Sequence, residues 1–338
     1  MNNIVLIDSG NTRLKVAVLR ADARMAGGHP ATGCVADSSP CISAGGIGGD
    51  GAPGPARRPA TQAARRDGHA AQLSAQALDN DNIQGLDDWL RALPAPPTAA
   101  LGTNVAGPAR AAAIEAALAR IGCPLRWVVP QACAHGLTSR YTRPKQLGAD
   151  RWASMLGVLA LRQAGTAATA GIAEQAGPAG TASPAATPGR APFLLASFGT
   201  ATTLDTVGGD GVFEGGLILP GPALMRRSLA SGTANLPLAH GDPTAYPTDT
   251  QHAIASGVAA AQAGAVLRQW LAGLRRYGVA PDIYAAGGGW DEVEPEIRRL
   301  LADTAASMGR LPPAITVIDN PVLHGLAHIA AAAFPDLP

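Results

Sequence analysis

The chain has 338 residues and a formal net charge of +1, which leaves room for two domains with sizeable cores and gives no positive excess favouring nucleic acid or an anionic membrane surface. Alanine, glycine and proline abound while aromatic residues are only 4%, and Cys34, Cys41, Cys123 and Cys133 lack CxxC or zinc-type spacing, so reduced thiols are expected. The apolar run before Asp8 is too short for a signal-peptide core, and no segment approaches the ~20 apolar residues of a membrane span; a cytoplasmic protein is expected.

The chain opens with a strand at 4–7, a small-residue turn beginning Asp8-Ser9-Gly10-Asn11-Thr12-Arg13, and a second strand at 14–19. Glycine lets the backbone approach an anion, and free N–H groups with Asn and Thr side chains hold phosphate oxygens. From Arg20 to about Asn80 periodicity is lost among Gly, Ala, Pro and the pairs Arg57-Arg58 and Arg65-Arg66. That length marks an insertion, with helical character at 70–78. No aromatic interleaves the arginines, so they read as a solvated loop. A helix at 86–93, a strand at 99–105 and a helix at 108–121 follow, the last with proline in its first turn and Gly122 after its end. A strand at 125–129 closes a βαβ pattern. After a polar loop, residues 150–163 read as a helix with Trp152, Met155, Leu156, Val158 and Leu159 on one broad apolar face.

A second low-complexity insert covers about 164–192. Behind it a strand at 193–196 leads into Ser197-Phe198-Gly199-Thr200-Ala201-Thr202-Thr203-Leu204-Asp205. This is the same strand–turn–strand device as at the N-terminus, and its recurrence suggests two related domains gripping one nucleotide. Next come Gly215-Gly216-Leu217-Ile218-Leu219-Pro220-Gly221, a helix at 222–229, a long alanine-rich helix at 250–277 and a strand at 282–285 followed by Gly287-Gly288-Gly289. A helix at 293–305, a strand at 315–318 and a helix at 321–333 complete the chain. Both halves are α/β.

No G-x-G-x-x-G stands between a strand and a helix, and no G-x-x-x-x-G-K-[ST] occurs, so neither a Rossmann dinucleotide site nor a P-loop is present. A duplicated turn with Asp at its head resembles the acetate and sugar kinase, actin and heat-shock ATPase superfamily. Within it, Tyr141-Thr142-Arg143-Pro144-Lys145-Gln146-Leu147-Gly148-Ala149-Asp150-Arg151-Trp152 resembles the substrate motif of type III pantothenate kinases. Asp8–Lys15 is similar to their D-x-G-N-T-x-x-K motif and Gly199–Thr203 to their second phosphate motif. Gly215–Gly221, Thr233–Pro237 and Thr250–Gly257 are similar to three further stretches, all in the family's order.

The resemblance implies two duplicated actin-like ATPase domains with a nucleotide cleft between them: an N-terminal domain over 1–147 with an insert at about 21–80, and a C-terminal domain over 148–338 with the interdomain helix and the insert at about 164–192. It also implies ATP-dependent phosphorylation of pantothenate to 4'-phosphopantothenate, the first step towards coenzyme A, in a homodimer. Asp150 would be the general base that makes a primary alcohol a competent nucleophile. Asp8, Ser9, Gly10, Asn11, Thr12, Arg13, Leu14, Lys15 and Thr200 would bind ATP, with Asp8 holding Mg²⁺ directly or through water. Tyr141, Gly148, Ala149, Asp150, Arg151 and Thr250 would bind pantothenate, and Arg151 would offer charge to its carboxylate or to the transferring phosphoryl group. The resemblance implies that most family members carry Asp where this chain has Ser197, so a K⁺ or NH₄⁺ site there is expected to be weak or absent.

Each residue also has a plainer structural reading. Asp150 and Arg151 fit a helix cap and a surface ion pair, Thr250 a helix cap, Tyr141 a loop aromatic and Lys15 an exposed edge lysine, while Gly287–Gly289 fit either turn glycines or a close approach to the nucleotide. His324 and His328, at i and i+4, read as a helix face and not a metal site. The competing function is a regulator resembling the Bvg accessory factor, although no basic helix supports DNA binding; a sugar or acetate kinase is disfavoured by the G-A-D-R context.

Overall fold

The computed structural model describes residues 3–20, 73–79, 83–174 and 190–333, with side-chain burial described to residue 165 in the helix that ends at 174. The first sheet is built from β1 (Asn3–Ser9), β2 (Arg13–Arg20), β3 (Gln76–Asp79), β4 (Ala99–Asn104) and β5 (Leu125–Trp127), with α1 (Ile83–Arg91) and α2 (Pro108–Ala119) between them. Two short strands, β6 (Cys133–Ala134) and β7 (Leu137–Ser139), precede α3 (Ala149–Glu174). The second half runs β8 (Phe193–Phe198), β9 (Ala201–Val207), β10 (Val212–Pro220), α4 (Pro222–Gly232), α5 (Thr250–Tyr277), β11 (Asp282–Ala286), α6 (Trp290–Ser307), β12 (Ile315–Val317) and α7 (Pro321–Ala333).

The duplication is explicit in the pairing. The first sheet has the order β3-β2-β1-β4-β5, and the second contains β10-β9-β8-β11-β12, extended beyond β10 by β7 and β6. In each, the first strand pairs antiparallel with the second, the second antiparallel with the third, and the first parallel with the fourth. The fifth strand adds in parallel to the fourth. The chain is a mixed α/β protein of two topologically equivalent sheets.

Alternation along the strands sorts their side chains into layers. Val5 and Ile7 of β1 pack with Leu86, Leu90, Ile114 and Leu118 of α1 and α2. Ile4 and Leu6 point the other way, into a core shared with α3, α7 and, from the second sheet, Phe193, Leu195, Val207 and Phe213. The opposite face of the second sheet, with Leu194, Ala196 and Leu204, packs on α5 and α6. Helices α3 and α7 thus form a central layer between the two sheets. They cross closely enough that a Cβ on Gly157 would lie 2.3 Å from the Pro321 carbonyl oxygen, and one on Gly325 1.8 Å from that of Ala153.

Several expectations are corrected. The segment 70–78, read as helical, contributes a strand, because Gln76–Asp79 pairs with β2; the rest of the 21–80 insert, including both arginine pairs, lies mostly outside the described residues. Helix α3 runs to Glu174 and so takes up the start of the second insert, since alanine favours helix wherever nothing interrupts it. Strands β6 and β7 fall before residue 148 yet belong to the second sheet, and α7 packs against β1 and β4 of the first. Sheet membership therefore does not divide at 147/148. Cys123 is a buried free thiol, but Cys133 is disulfide-bonded, its partner lying outside the described residues; spacing along a chain cannot show a pairing between remote cysteines. No helix among the described residues is long and apolar enough to cross a membrane.

Candidate active site

The first turn sits where β1 and β2 leave the sheet. Asp8 pairs with Lys15 of β2 on one side and Thr103 of β4 on the other, all on the face that meets the central helices. The Thr103 hydroxyl donates to Asp8 Oδ1 at 3.1 Å. Burial, opposed by Lys15 and reinforced by Asp150, raises the Asp8 pKa to about 6. Strand β2 lies between β1 and β3, so Lys15 is not on a sheet edge. Ser9 and Leu14 pair with each other, both completely buried, and alternation turns them toward α1 and α2, so their side chains face away from Asp8. Only their backbone remains available to a ligand. Asn11, Thr12 and Arg13 are exposed, and the Gly10 N–H closes the turn on the Arg13 carbonyl at 3.2 Å.

The second turn is one residue shorter, and the Gly199 N–H donates to the Ala201 carbonyl at 3.1 Å. It is packed from two sides. A Cβ on Gly221 would lie 2.0 Å from the Gly199 carbonyl oxygen, and Gly287, at φ 97°, would bring one within 2.4 Å of the Phe198 carbonyl oxygen. The Gly289 N–H also donates to Phe198 at 3.0 Å. Gly287 and Gly289 are therefore built against the second turn. The two turns meet: the hydroxyls of Thr12 and Thr200 are 2.6 Å apart.

The third part is the start of α3. Asp150 lies in its first turn, and Oδ1 accepts from the Arg151 N–H at 2.8 Å. Gly148 makes room for this carboxylate, since a Cβ there would lie 2.5 Å from Asp150 Oδ1. Burial raises the Asp150 pKa against the lowering effect of Arg151. Asp150 also raises the pKa of both Asp8 and Asp205, so one carboxylate from each sheet lies within electrostatic reach of the helix start.

Arg151 does not project freely. It is only 6% exposed. Its Nη2 donates to Asp205 Oδ1 at 2.5 Å, its Nε reaches both Asp205 oxygens at 3.2 Å, and its Nη1 donates to the Tyr141 hydroxyl at 3.1 Å. Tyr141 in turn packs on Phe213, and Arg151 lies over both rings. Burial works against the charge, but Asp205 holds the Arg151 pKa above its ordinary value. The Arg151 charge has a buried carboxylate partner in Asp205.

Asp205 is the residue sequence reasoning missed as a site component. The available signal was a lone acid in a strand otherwise of Ala, Thr, Leu and Val, at the end of the second phosphate motif. Thr250 heads α5 and is exposed; its cap role belongs to Asp249, whose side chain accepts from the His252 N–H. Thr250 makes no hydrogen bond to the Asp8, Asp150 and Asp205 group among the described residues.

Among the described residues no cluster of three or more His, Cys, Asp or Glu side chains is arranged for a metal ion. Asp8 still fits Mg²⁺, which commonly uses one or two protein carboxylates and takes its other ligands from phosphates and water. Ser197, opposite Thr203 and Ala286 in the second sheet, offers a neutral hydroxyl oxygen only.

The profile of the type III pantothenate kinase family matches residues 55–177 and 179–272. A type III pantothenate kinase of Bordetella pertussis is 48% identical over 98% of this chain and 99% of its own length. One from Bordetella petrii is 54% identical over 80% of this chain and 92% of its own. A Campylobacter jejuni structure described as a Baf-family transcriptional activator covers 98% of this chain and 99% of its own at 14% identity, with a TM-score of 0.46; at that distance it carries no functional weight.

Proposed function

Because the chain belongs to the type III pantothenate kinase family, we propose that it transfers the γ-phosphoryl group of ATP to the primary hydroxyl of pantothenate, giving 4'-phosphopantothenate for coenzyme A synthesis. The regulator reading is not favoured, since the relatives matched over nearly the whole chain are named as kinases. The structural observation that best supports this activity is the convergence of the Thr12 and Thr200 turns beside a first sheet whose Asp8 interacts with Asp150.

Phosphoryl transfer needs in-line placement and charge neutralisation more than covalent chemistry. Backbone N–H groups of 9–14, the Asn11 and Thr12 side chains, Lys15 and Thr200 would cradle the phosphates, with Lys15 supplying positive charge. Asp8 would hold Mg²⁺, which when bound neutralises phosphate charge. Asp150 would accept the proton of the attacking hydroxyl. Its burial supports that role, because a carboxylate raised toward neutrality is a better base at physiological pH. Tyr141, the backbone of Gly148 and Ala149, Arg151 and Thr250 would line the acceptor site. We further propose a cytoplasmic homodimer, and with Ser197 in place of Asp only a weak response to K⁺ or NH₄⁺.

The test is ATP consumption by the purified chain with pantothenate, against a panel of sugars and acyl acids. The reading expects turnover with pantothenate alone; turnover with a sugar or acetate in preference would replace it.

A further inference from the structure

We propose that Asp205 is a positioning residue for the acceptor site, acting through Arg151 to fix the Tyr141 hydroxyl and the first turn of α3 that carries Asp150. The proposal rests on the kinase reading above.

The geometry is specific. Asp205 is 1% exposed on β9, and both its oxygens are engaged by one guanidinium from the first turn of α3. That guanidinium reaches Tyr141 with its remaining arm, so a single carboxylate orders two residues of the acceptor motif. The Arg151 backbone N–H is also the donor to Asp150 Oδ1. Moving Arg151 therefore disturbs the carboxylate proposed as the base. Space for the pair is provided by Gly216, which sits opposite Asp205 in β10. A Cβ there would come within 2.3 Å of Asp205 Oδ1, 2.5 Å of the Leu204 carbonyl oxygen and 2.7 Å of Arg151 Nη2. Gly216 thus leaves room both for the ion pair and for the close approach of the β9 backbone.

A buried pair could serve stability alone, so the test must separate the two roles. The charged groups bearing on Asp150 are Arg151 from its own helix, Asp205 from β9 and Asp8 from β1, the last faced by Lys15. Asp205→Asn keeps the shape but leaves the Arg151 charge uncompensated next to Asp150. The acidic limb of the pantothenate kcat/KM profile should then move to lower pH by about half a unit or more. Misplacement of the acceptor should lower kcat/KM for pantothenate ~10–10²-fold with KM for ATP unchanged. In an Arg151→Met background the same Asp205→Asn change should add little to the loss in pantothenate kcat/KM, because the path through Arg151 is already cut. Any limb shift left there reports the direct interaction of the Asp205 and Asp150 charges.

Unchanged pantothenate kinetics in Asp205→Asn, or an equal loss of pantothenate kcat/KM on Asp205→Asn in both backgrounds, would overturn the proposal. Should Asp205→Asn alone fail to fold, Gly216→Ala gives the decision. It wedges the pair apart without removing a charge, and unchanged pantothenate kinetics there would refute the role. Absence of pantothenate turnover in the wild type would instead refute the kinase reading.

Discussion

The hydroxyl oxygens of Thr12 and Thr200, from turns 188 residues apart, lie 2.6 Å from each other. Each lies in the turn joining the first two strands of its own sheet, so the corresponding turns of the two repeats come together where one nucleotide can be held by both. Hydrogen bonds to a charged phosphate contribute about 1.5–3 kcal/mol. Thr200→Val, which keeps the shape, should therefore raise KM for ATP roughly tenfold or more by that measure while leaving KM for pantothenate alone. Steady-state kinetics with each substrate varied will check this; an unchanged ATP KM would remove Thr200 from the nucleotide site.

Asp8 gives a pH-dependent cost in stability. Its pKa rises from 3.8 to about 6 on folding, chiefly through burial. In that window the folded state holds a proton that the unfolded state has released. Stability is thus present below the unfolded value and lost as pH rises through about 6, by roughly 2–3 kcal/mol for a shift of this size. Asp8→Asn without Mg²⁺ should raise Tm relative to wild type at pH 8 more than at pH 4, while abolishing turnover. A Tm difference independent of pH would show that the buried charge is not the cause.

The α3–α7 crossing makes a paired prediction on one helix. Gly157→Ala forces a methyl group against the Pro321 carbonyl and Gly325, and overpacking of this kind costs about 1–3 kcal/mol. Gly165→Ala, where a Cβ meets nothing within 4 Å among the described residues, should be neutral or stabilising by up to ~1 kcal/mol. Equal effects in denaturant titrations would contradict the close crossing.

What the sequence made legible follows from where the information lies. The helices at 250–277 and 321–333 coincide with α5 and α7 because caps and apolar periodicity are local signals. Both phosphate turns were legible for the same reason. Strand β3 was not, since Gln76–Asp79 is mostly exposed and owes its conformation to pairing with β2. Strands β6 and β7 are too short for any period and exist by hairpin pairing around His135 and Gly136, both at positive φ, and by docking on β10. In the site, Asp150 and Asp8 were carried by motif, whereas the pairing of Arg151 with Asp205 was not legible because the two lie 54 residues apart.

Ser197 bears on the monovalent cation. A hydroxyl is a hard oxygen ligand without full negative charge, so K⁺ or NH₄⁺ should stimulate weakly, at high concentration or not at all. Titration with KCl and NH₄Cl in sodium buffer should show Ser197→Asp lowering the concentration required. Tight, saturating K⁺ activation of the wild type, unimproved by Ser197→Asp, would contradict this.

The central claim is that this chain phosphorylates pantothenate with Asp150 as the base, and product formation by wild type and Asp150→Asn tests it most directly. With ATP, Mg²⁺ and pantothenate, the wild type should yield 4'-phosphopantothenate, identified by mass and phosphorus resonance. Folded Asp150→Asn, still binding ATP, should turn over ~10²–10⁴-fold more slowly, the usual contribution of general base catalysis. Absence of the phosphorylated product with wild type, or near-normal turnover by Asp150→Asn, would contradict the account.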